Sequence, residues 1–128
     1  LADTHAASRL AAQALCRGPV QMLESHDELL HSGLCDAVVI ATPNFTHVDM
    51  MRSALALPGL HILVEKPLVT RMDDGIELMK RAEGRTGIVW VAQEYRYMPP
   101  VAEAIRLTHE GTVGRVQQVA IREHREPF

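Results

Sequence analysis

A continuous apolar run at residues 36–41 constrains the fold of this chain more than any other feature. Its sequence, Asp-Ala-Val-Val-Ile-Ala, has the length of a strand and lacks the polar alternation of a half-exposed one. Such a run is typical of a central parallel strand that is covered on both faces. Shorter apolar runs predict three further strands, at residues 20–23, 61–64 and 87–92.

Helical patterns alternate with these strands. Asp3 or Thr4 can cap a first helix that runs to residue 15, and Ser25 with Glu28 has capping-box spacing for a second helix. Further helices are predicted from Thr46 to residue 57, from Thr70 to residue 83, and from Pro99 to residue 110. Helices and strands that alternate over short connections predict an α/β fold with a doubly wound parallel sheet.

The pattern changes after Gly114. Val116, Val119 and Ile121 are interleaved with polar residues, which is typical of an antiparallel strand with one exposed face. We therefore expect residues 1–110 to form one domain. Residues 111–128 would begin a second domain, of which only the first strand is present.

Composition excludes several classes of function. The chain carries 13 basic and 16 acidic side chains with interspersed signs, so no basic patch indicates nucleic-acid binding. Its apolar runs are far shorter than the roughly 20 residues that a membrane span needs. Cys16 and Cys35 lack a His or Cys partner at metal-ligand spacing. We therefore expect reduced thiols, no metal site and a cytoplasmic protein.

Two strand ends carry unusual residues. In an open α/β sheet, ligands bind outside the carboxyl ends of the strands. The tripeptide 42–44 (Thr-Pro-Asn) follows the apolar strand and offers a rigid turn with polar side chains, although an ordinary capped loop would have the same composition. Glu65 and Lys66 follow the next strand, where charged residues are rarely placed without a partner. Glu65 either pairs with Lys66 or contacts a ligand.

The ordered set of these motifs resembles the glucose–fructose oxidoreductase, inositol dehydrogenase and MocA (Gfo/Idh/MocA) family of oxidoreductases. The resemblance rests on residues 36–44 with His47, on the tripeptide 65–67 (Glu-Lys-Pro), on residues 94–100 and on residues 111–116. Each motif alone is weak, whereas their order and spacing resemble the family over essentially the whole chain. The family implies a Rossmann domain that binds NAD or NADP, followed by an α/β domain that carries most of the substrate pocket.

The resemblance also implies a reaction and a set of site residues. The reaction is hydride transfer between a nicotinamide and a sugar, cyclitol or related polyhydroxylated compound. Lys66 matches the family's motif lysine, which places the cofactor and polarises the reacting oxygen. Asp3 matches the acidic position that binds the adenosine ribose and favours NAD over NADP. The positions implied to bind the cofactor are Asp3, Ala41, Thr42, Pro43, Asn44, His47, Glu65, Lys66, Pro67 and Arg96.

This sequence departs from the family pattern at both ends. The glycine-rich phosphate turn and the strand before it are absent, and Gly111 with Gly114 follows a helix, which is the wrong order for a phosphate loop. The family's catalytic Asp and His in the second domain have no counterpart here. We therefore expect an internal fragment that is inactive alone, and a homo-oligomer for the complete protein.

Two other functions fit parts of the pattern. A non-catalytic member of the same superfamily would bind a dinucleotide and act as a sensor. A response-regulator receiver domain also places a hydroxyl residue and a Lys-Pro pair on neighbouring strand ends, as Thr42 and Lys66 are placed here. A receiver requires acidic residues at its other strand ends, however, and the strand that ends at Leu23 is followed by Glu24 and Ser25.

Overall fold

The computed structural model describes residues 1–124. Two compact units divide the chain, the first covering Leu1–Ala92 and the second beginning at Gln93. The helices are α1 (Ala6–Leu15), α2 (His26–His31), α3 (His47–Leu55), α4 (Met72–Ala82) and α5 (Pro99–His109). The strands are β1 (Ala37–Ile40), β2 (His61–Glu65) and β3 (Val89–Ala92), and 3₁₀ turns lie at Asn44–Thr46 and Glu94–Tyr97.

The three strands form a parallel sheet in the order β1–β2–β3. Val38 of β1 lies opposite Ile62 of β2, and Val64 of β2 lies opposite Val91 of β3. Because parallel neighbours need a crossover connection, α3 joins the first pair and α4 joins the second. The α/β class and three of the predicted strands are therefore confirmed, with small differences at the strand ends.

Within the first unit, α3 and α4 pack on the same face of this sheet. The core residues with less than a tenth of their surface exposed are Val38, Ile40, Met51, Ala54, Leu55, Leu60, Ile62, Val64 and Leu78. On the opposite face, Val39 is 68% exposed and Trp90 is 47% exposed. The prediction that residues 36–41 are covered on both faces was therefore wrong for the described chain. The apolar run reports that the strand is hydrophobic, but α3 and α4 both pack on the Val38 side.

The predicted strand at residues 20–23 is reduced to a single parallel bridge between Ala2 and Leu23. The Leu23 N–H donates to the Leu1 carbonyl at 2.9 Å, and the Asp3 N–H donates to the Leu23 carbonyl at 3.3 Å. The two segments run in the same direction. Asp3 and the residue after Leu23 consequently leave this short ladder at the same end.

The helix caps follow the sequence in part. Ser25 caps α2 as predicted, because its Oγ accepts the N–H of Glu28 at 3.1 Å. Thr46 does not cap α3 with its side chain, since its hydroxyl donates to the Pro43 carbonyl within the preceding 3₁₀ turn. Thr70 does not cap α4 either, because that helix begins later, with Arg71 at its N-cap.

The second unit contains α5 and a non-helical segment after it. The described residues 115–124 include no strand, so the predicted strand around Val116–Ile121 was wrong. A strand needs a hydrogen-bonded partner, and none of the described residues supplies one there. The predicted boundary at residues 111–114 stays a prediction, and residues 125–128 of the predicted second domain lie outside the described residues. No helix within residues 1–124 has the length and apolarity to cross a bilayer.

Candidate functional site

Two strand ends meet at one edge of the sheet, which we call the strand rim and define as residues 41–44 and 65–67. β1 and β2 are parallel and adjacent, with Ile40 opposite Val64. The residues that follow these positions therefore leave the sheet side by side. This confirms the prediction that the threonine-proline corner and the lysine lie at the same edge.

The hydroxyl groups of the corner stabilise the turn itself. Thr42 Oγ1 and Thr46 Oγ1 lie 2.7 Å apart, and Thr46 Oγ1 donates to the Pro43 carbonyl at 2.7 Å. Thr42 Oγ1 also lies 3.3 Å from the sulfur of Met50. Asn44 is exposed, and its side chain has no hydrogen bond within the described residues. The threonines thus shape the corner, while Asn44 remains available to a ligand.

The charged tip of β2 is exposed to solvent. Glu65, Lys66 and Pro67 are all exposed, and the peptide bond between Lys66 and Pro67 is cis. One carboxylate oxygen of Glu65 accepts the backbone N–H of Lys66 at 3.2 Å. No salt bridge to the Lys66 ammonium occurs in the described part of the chain. The first alternative for Glu65, an ion pair with Lys66, therefore does not form within the described residues. The second alternative, a contact with a ligand, stays a prediction.

His47 lies beneath the strand rim and has no exposed surface. Its Nδ1 is 2.9 Å from the carbonyl oxygen of Pro67, and its Nε2 is 2.9 Å from that of Thr42. Both ring nitrogens are thus engaged by the backbone of the two tips. A buried ring in this position is no direct surface for a cofactor, in contrast to the lining role that the resemblance implied.

A cavity of about 560 Å³ lies between the N-terminal segment and the end of β1. Asp3, Ala41, Thr42 and Pro43 all line it, so the structure brings four predicted site residues together. Asp3 Oδ1 accepts the backbone N–H of His5 at 2.7 Å. Its other carboxylate oxygen has no partner within residues 1–124, so it can accept hydrogen bonds from a ligand.

Sequence reasoning missed several residues that line the same cavity. Ser25 and His26 reach it because they follow Leu23, whose pairing with Ala2 directs both chain segments to one edge. Phe45 also lines it and is 79% exposed. The sequence signal available for it was an aromatic residue directly after the Thr-Pro-Asn corner. Arg96 belongs to the second unit, within the 3₁₀ turn Glu94–Tyr97.

Comparisons with known proteins agree on one family. The family model GFO_IDH_MocA, described as an oxidoreductase family with an NAD-binding Rossmann fold, matches residues 1–93. The uncharacterized oxidoreductase sll0816 of Synechocystis sp. is 34% identical over 95 residues, which cover 74% of this chain and 25% of that protein. Inositol 2-dehydrogenase 4 of Saccharopolyspora erythraea is 33% identical over 99 residues, covering 76% of this chain and 27% of that protein.

A solved structure agrees with the sequence relatives. The WlbA dehydrogenase from Bordetella pertussis, in complex with NADH and UDP-GlcNAcA, matches with a TM-score of 0.79 and 25% identity, over 89% of this chain and 32% of that one. The chain thus spans about a quarter of the length of the curated relatives described above. The family match makes the receiver-domain alternative wrong.

Proposed function

The chain belongs to the Gfo/Idh/MocA oxidoreductases, and we propose that the complete protein transfers a hydride between NAD(P) and a polyhydroxylated substrate such as a sugar or cyclitol. The observation that carries this proposal is the strand rim, where an exposed lysine that has no ion pair with any described residue lies on the strand next to a hydrogen-bonded threonine-proline corner. The relatives named as dehydrogenases support the same reaction class.

The residues of the first unit fit a dinucleotide. The cavity beside β1 has a volume of about 560 Å³ and is lined by the Asp3 carboxylate and by Thr42 and Pro43 of the corner. These groups suit the ribose hydroxyls and the polar linkage of such a molecule. Asp3 would hold the adenosine ribose, and Asn44 with the rim backbone would hold the nicotinamide half. When bound, the nicotinamide supplies the hydride acceptor or donor.

Lys66 is the catalytic residue in this proposal. Oxidation of an alcohol passes the O–H proton to a base as hydride leaves the carbon, so negative charge develops on the oxygen. The family resemblance implies that this base is supplied by the Asp and His of the second domain. An ammonium group near that oxygen stabilises the charge and holds the hydroxyl in place. Lys66 suits this role because it is exposed at the rim and has no carboxylate partner within the described residues.

We further propose that the protein favours NAD over NADP. The free carboxylate oxygen of Asp3 can accept both ribose hydroxyls, whereas it would repel a 2′-phosphate. The guanidinium of Arg9 lies close to Asp3, but it already donates to the Asp3 carbonyl at 2.6 Å and to Glu24 at 3.1 Å. A 2′-phosphate would therefore lack a free cationic partner in this segment.

Two coarser expectations accompany the reaction. We propose a cytoplasmic protein, which the free thiols of Cys16 and Cys35 support, because disulfides are rare in that compartment. We also propose a homo-oligomer, on the basis of the family resemblance alone. Size-exclusion chromatography with light scattering of the complete protein tests the oligomeric state, and a monomeric mass would contradict it.

The function is tested on the complete protein in two separate measurements. Quenching of intrinsic fluorescence by NADH and NADPH measures cofactor binding. Absorbance at the nicotinamide band measures turnover with a panel of inositols, aldoses and anhydrosugars. We expect saturable NADH binding and activity with at least one member of the panel.

The two readouts separate the remaining alternatives. Binding without turnover on any polyol would favour the non-catalytic sensor over the dehydrogenase. A protein that binds neither dinucleotide would contradict both. The substrate class is then narrowed by comparing kcat/KM across panel members that differ at a single hydroxyl group.

A further inference from the structure

We infer that His47 is a positioning residue that holds the two halves of the strand rim together. The ring lies between the backbone of the Thr-Pro-Asn corner and the backbone of the lysine tip, and it contacts both. The inference rests on the proposed function, because the rim it stabilises is the proposed catalytic edge. It adds a residue whose contribution to the reaction is indirect, through the placement of Lys66.

The contacts of the ring determine what it can do. Both partners are backbone carbonyl oxygens, which only accept hydrogen bonds, so a ring nitrogen bonds to its carbonyl only when it carries the hydrogen. A neutral ring has one N–H, and its tautomer decides which of the two tips receives that bond while the other nitrogen stays in contact at 2.9 Å. The two carbonyls belong to residues 42 and 67, which are distant in sequence and sit on neighbouring strand ends. Among the hydrogen bonds of the described residues, these are the side-chain bonds that link one tip to the other.

The position of the bonds relates the ring to Lys66. Pro67 directly follows Lys66, so a fixed Pro67 carbonyl limits the directions in which the lysine backbone can turn. The lysine side chain itself has no ion pair to hold it in the described residues. Among the described residues, the backbone contact at Pro67 is therefore what constrains the lysine tip. Small displacements of a reacting group cost large factors in rate, about a hundredfold for 1 Å.

Burial alone does not explain a histidine at this position. His47 has no exposed surface, and its neighbour on the same helix, Met51, is 1% exposed. A leucine would fill such a site without any polar group that needs a partner, and buried polar groups are costly unless they are hydrogen-bonded. A histidine suits this position because each of its two ring nitrogens faces the carbonyl oxygen of one tip.

Three variants of the complete protein test the inference. His47→Leu removes the polar contacts of the ring with both carbonyls and keeps an apolar side chain, whereas His47→Gln keeps an N–H donor. Met51→Val is the matched control, because it disturbs the packed core of α3 without touching either tip. Each variant is checked for a cooperative melting transition and then assayed below it for kcat, KM and the Kd of NADH.

We expect His47→Leu to lower kcat by about ten- to a hundredfold, with a smaller change in KM for the substrate. His47→Gln should retain more activity than His47→Leu, and Met51→Val should stay within about twofold of the wild type in kcat. A packing role alone predicts the opposite order, with leucine at least as active as glutamine. That order, or a His47→Leu variant with wild-type kcat, would overturn the inference.

The wild-type protein gives a second reading that needs no variant. In a ¹H–¹⁵N spectrum tuned to histidine rings, His47 should show a slowly exchanging ring N–H, since a buried donor bound to a carbonyl is protected from water. A ring without any protected N–H would contradict the bridge even if the variants fail to fold. Wild-type protein that binds cofactor but lacks turnover would contradict the proposed function. In that case the position of His47 between the two tips is still tested by this spectrum and by the Kd of NADH for the His47 variants.

Discussion

Charged side chains are used in opposite ways on the α3–α4 surface and at the strand rim. On the helical surface, Arg52 of α3 bonds to Asp49 on its own helix and reaches across to Asp74 and Glu77 of α4. Arg81 adds a further bond to Glu77. At the rim, by contrast, the Lys66 ammonium has no salt bridge within the described residues. One surface is satisfied by the protein itself, and the other leaves its charge for a ligand.

The titration behaviour of the α3–α4 cluster follows from this pairing. Hydrogen bonds from Arg52 and then from Arg81 lower the pKa of Glu77 to about 2, from an ordinary value of 4.5. The carboxylates raise the pKa of Arg52 in turn, chiefly through the hydrogen bond to Glu77. Charge pairs between two helices stabilise the arrangement of those helices. We therefore expect changes on this surface to alter stability, and changes at the rim to alter function.

The largest effect should come from Lys66→Ala in the complete protein. Loss of the cation beside the reacting oxygen should lower kcat by roughly 10²- to 10³-fold, while the melting temperature stays close to that of the wild type, because the side chain is exposed. Steady-state kinetics and thermal melts measure the two effects. Lys80→Ala is the matched control, since Lys80 is the only other lysine of the chain and lies exposed on α4. Near-normal turnover of Lys66→Ala would remove this lysine from the mechanism.

A second change, Asp3→Ala, should weaken NADH binding by about tenfold, which corresponds to one lost charge-assisted hydrogen bond or two weaker ones. NADPH binding should change less, because the carboxylate contributes repulsion to that complex. Titrations of intrinsic fluorescence give both dissociation constants. Asp36→Ala, which removes an exposed carboxylate from the amino end of β1, should alter neither. Equal losses for the two cofactors would contradict the assignment of Asp3 to the ribose.

On the α3–α4 surface, Arg52→Met should lower the melting temperature by a few degrees and leave kcat unchanged. The substitution keeps an apolar stem but leaves three carboxylates near one another without their shared cation. Arg106→Met provides the comparison, because Arg106 pairs with Glu103 and Glu110 on its own helix α5. Such pairs within one helix contribute little. An equal or larger effect of Arg106→Met would show that the bonds between α3 and α4 add nothing beyond local pairing.

The smallest effect should be a pH dependence of the melting temperature that is caused by the titration of Glu77. Its folded-state pKa of about 2 lies below the ordinary 4.5, so its stabilising contribution is complete above pH 4.5 and is lost as the pH falls towards 2. Glu77→Gln should remove this contribution. Melting temperatures of the two proteins should therefore differ most above pH 4.5 and converge below it. Glu83→Gln, at an exposed position after α4, is the control, and a difference that grows on acidification would have the wrong sign for this account.

Several features of the site were accessible from local sequence. Apolar periodicity located the three strands and their connecting helices, because each strand or helix hides its own hydrophobic residues in a characteristic repeat. The spacing of Thr42 and Lys66 then predicted that both lie at one edge, since parallel strands place their carboxyl ends together. Ser25 with Glu28 identified a helix start through a bond that spans only three residues.

Other features depended on contacts between distant residues. Val39 is exposed, and residues 115–124 have no strand partner among the described residues. Both properties depend on which other segments pack or pair with a strand, and the sequence of the strand itself does not contain that information. The prediction for residues 20–23 failed in the same way, because a strand is assigned by its pairing and only the Ala2–Leu23 bridge forms.

The amino-acid sequence by itself determined the α/β alternation, the identity of the polar tips and the membership of the family. Those properties depend on the order of residues along the chain and on short-range steric and hydrophobic preferences. Only the tertiary structure decided that His47 is buried beside two carbonyls, that Lys66 has no salt bridge among residues 1–124, and that Asp3 shares a cavity with Thr42 and Pro43. Apart from the His47–Thr42 contact, these properties depend on distances between groups that are twenty or more residues apart in sequence. Such distances are fixed only when the strands pair and the helices pack.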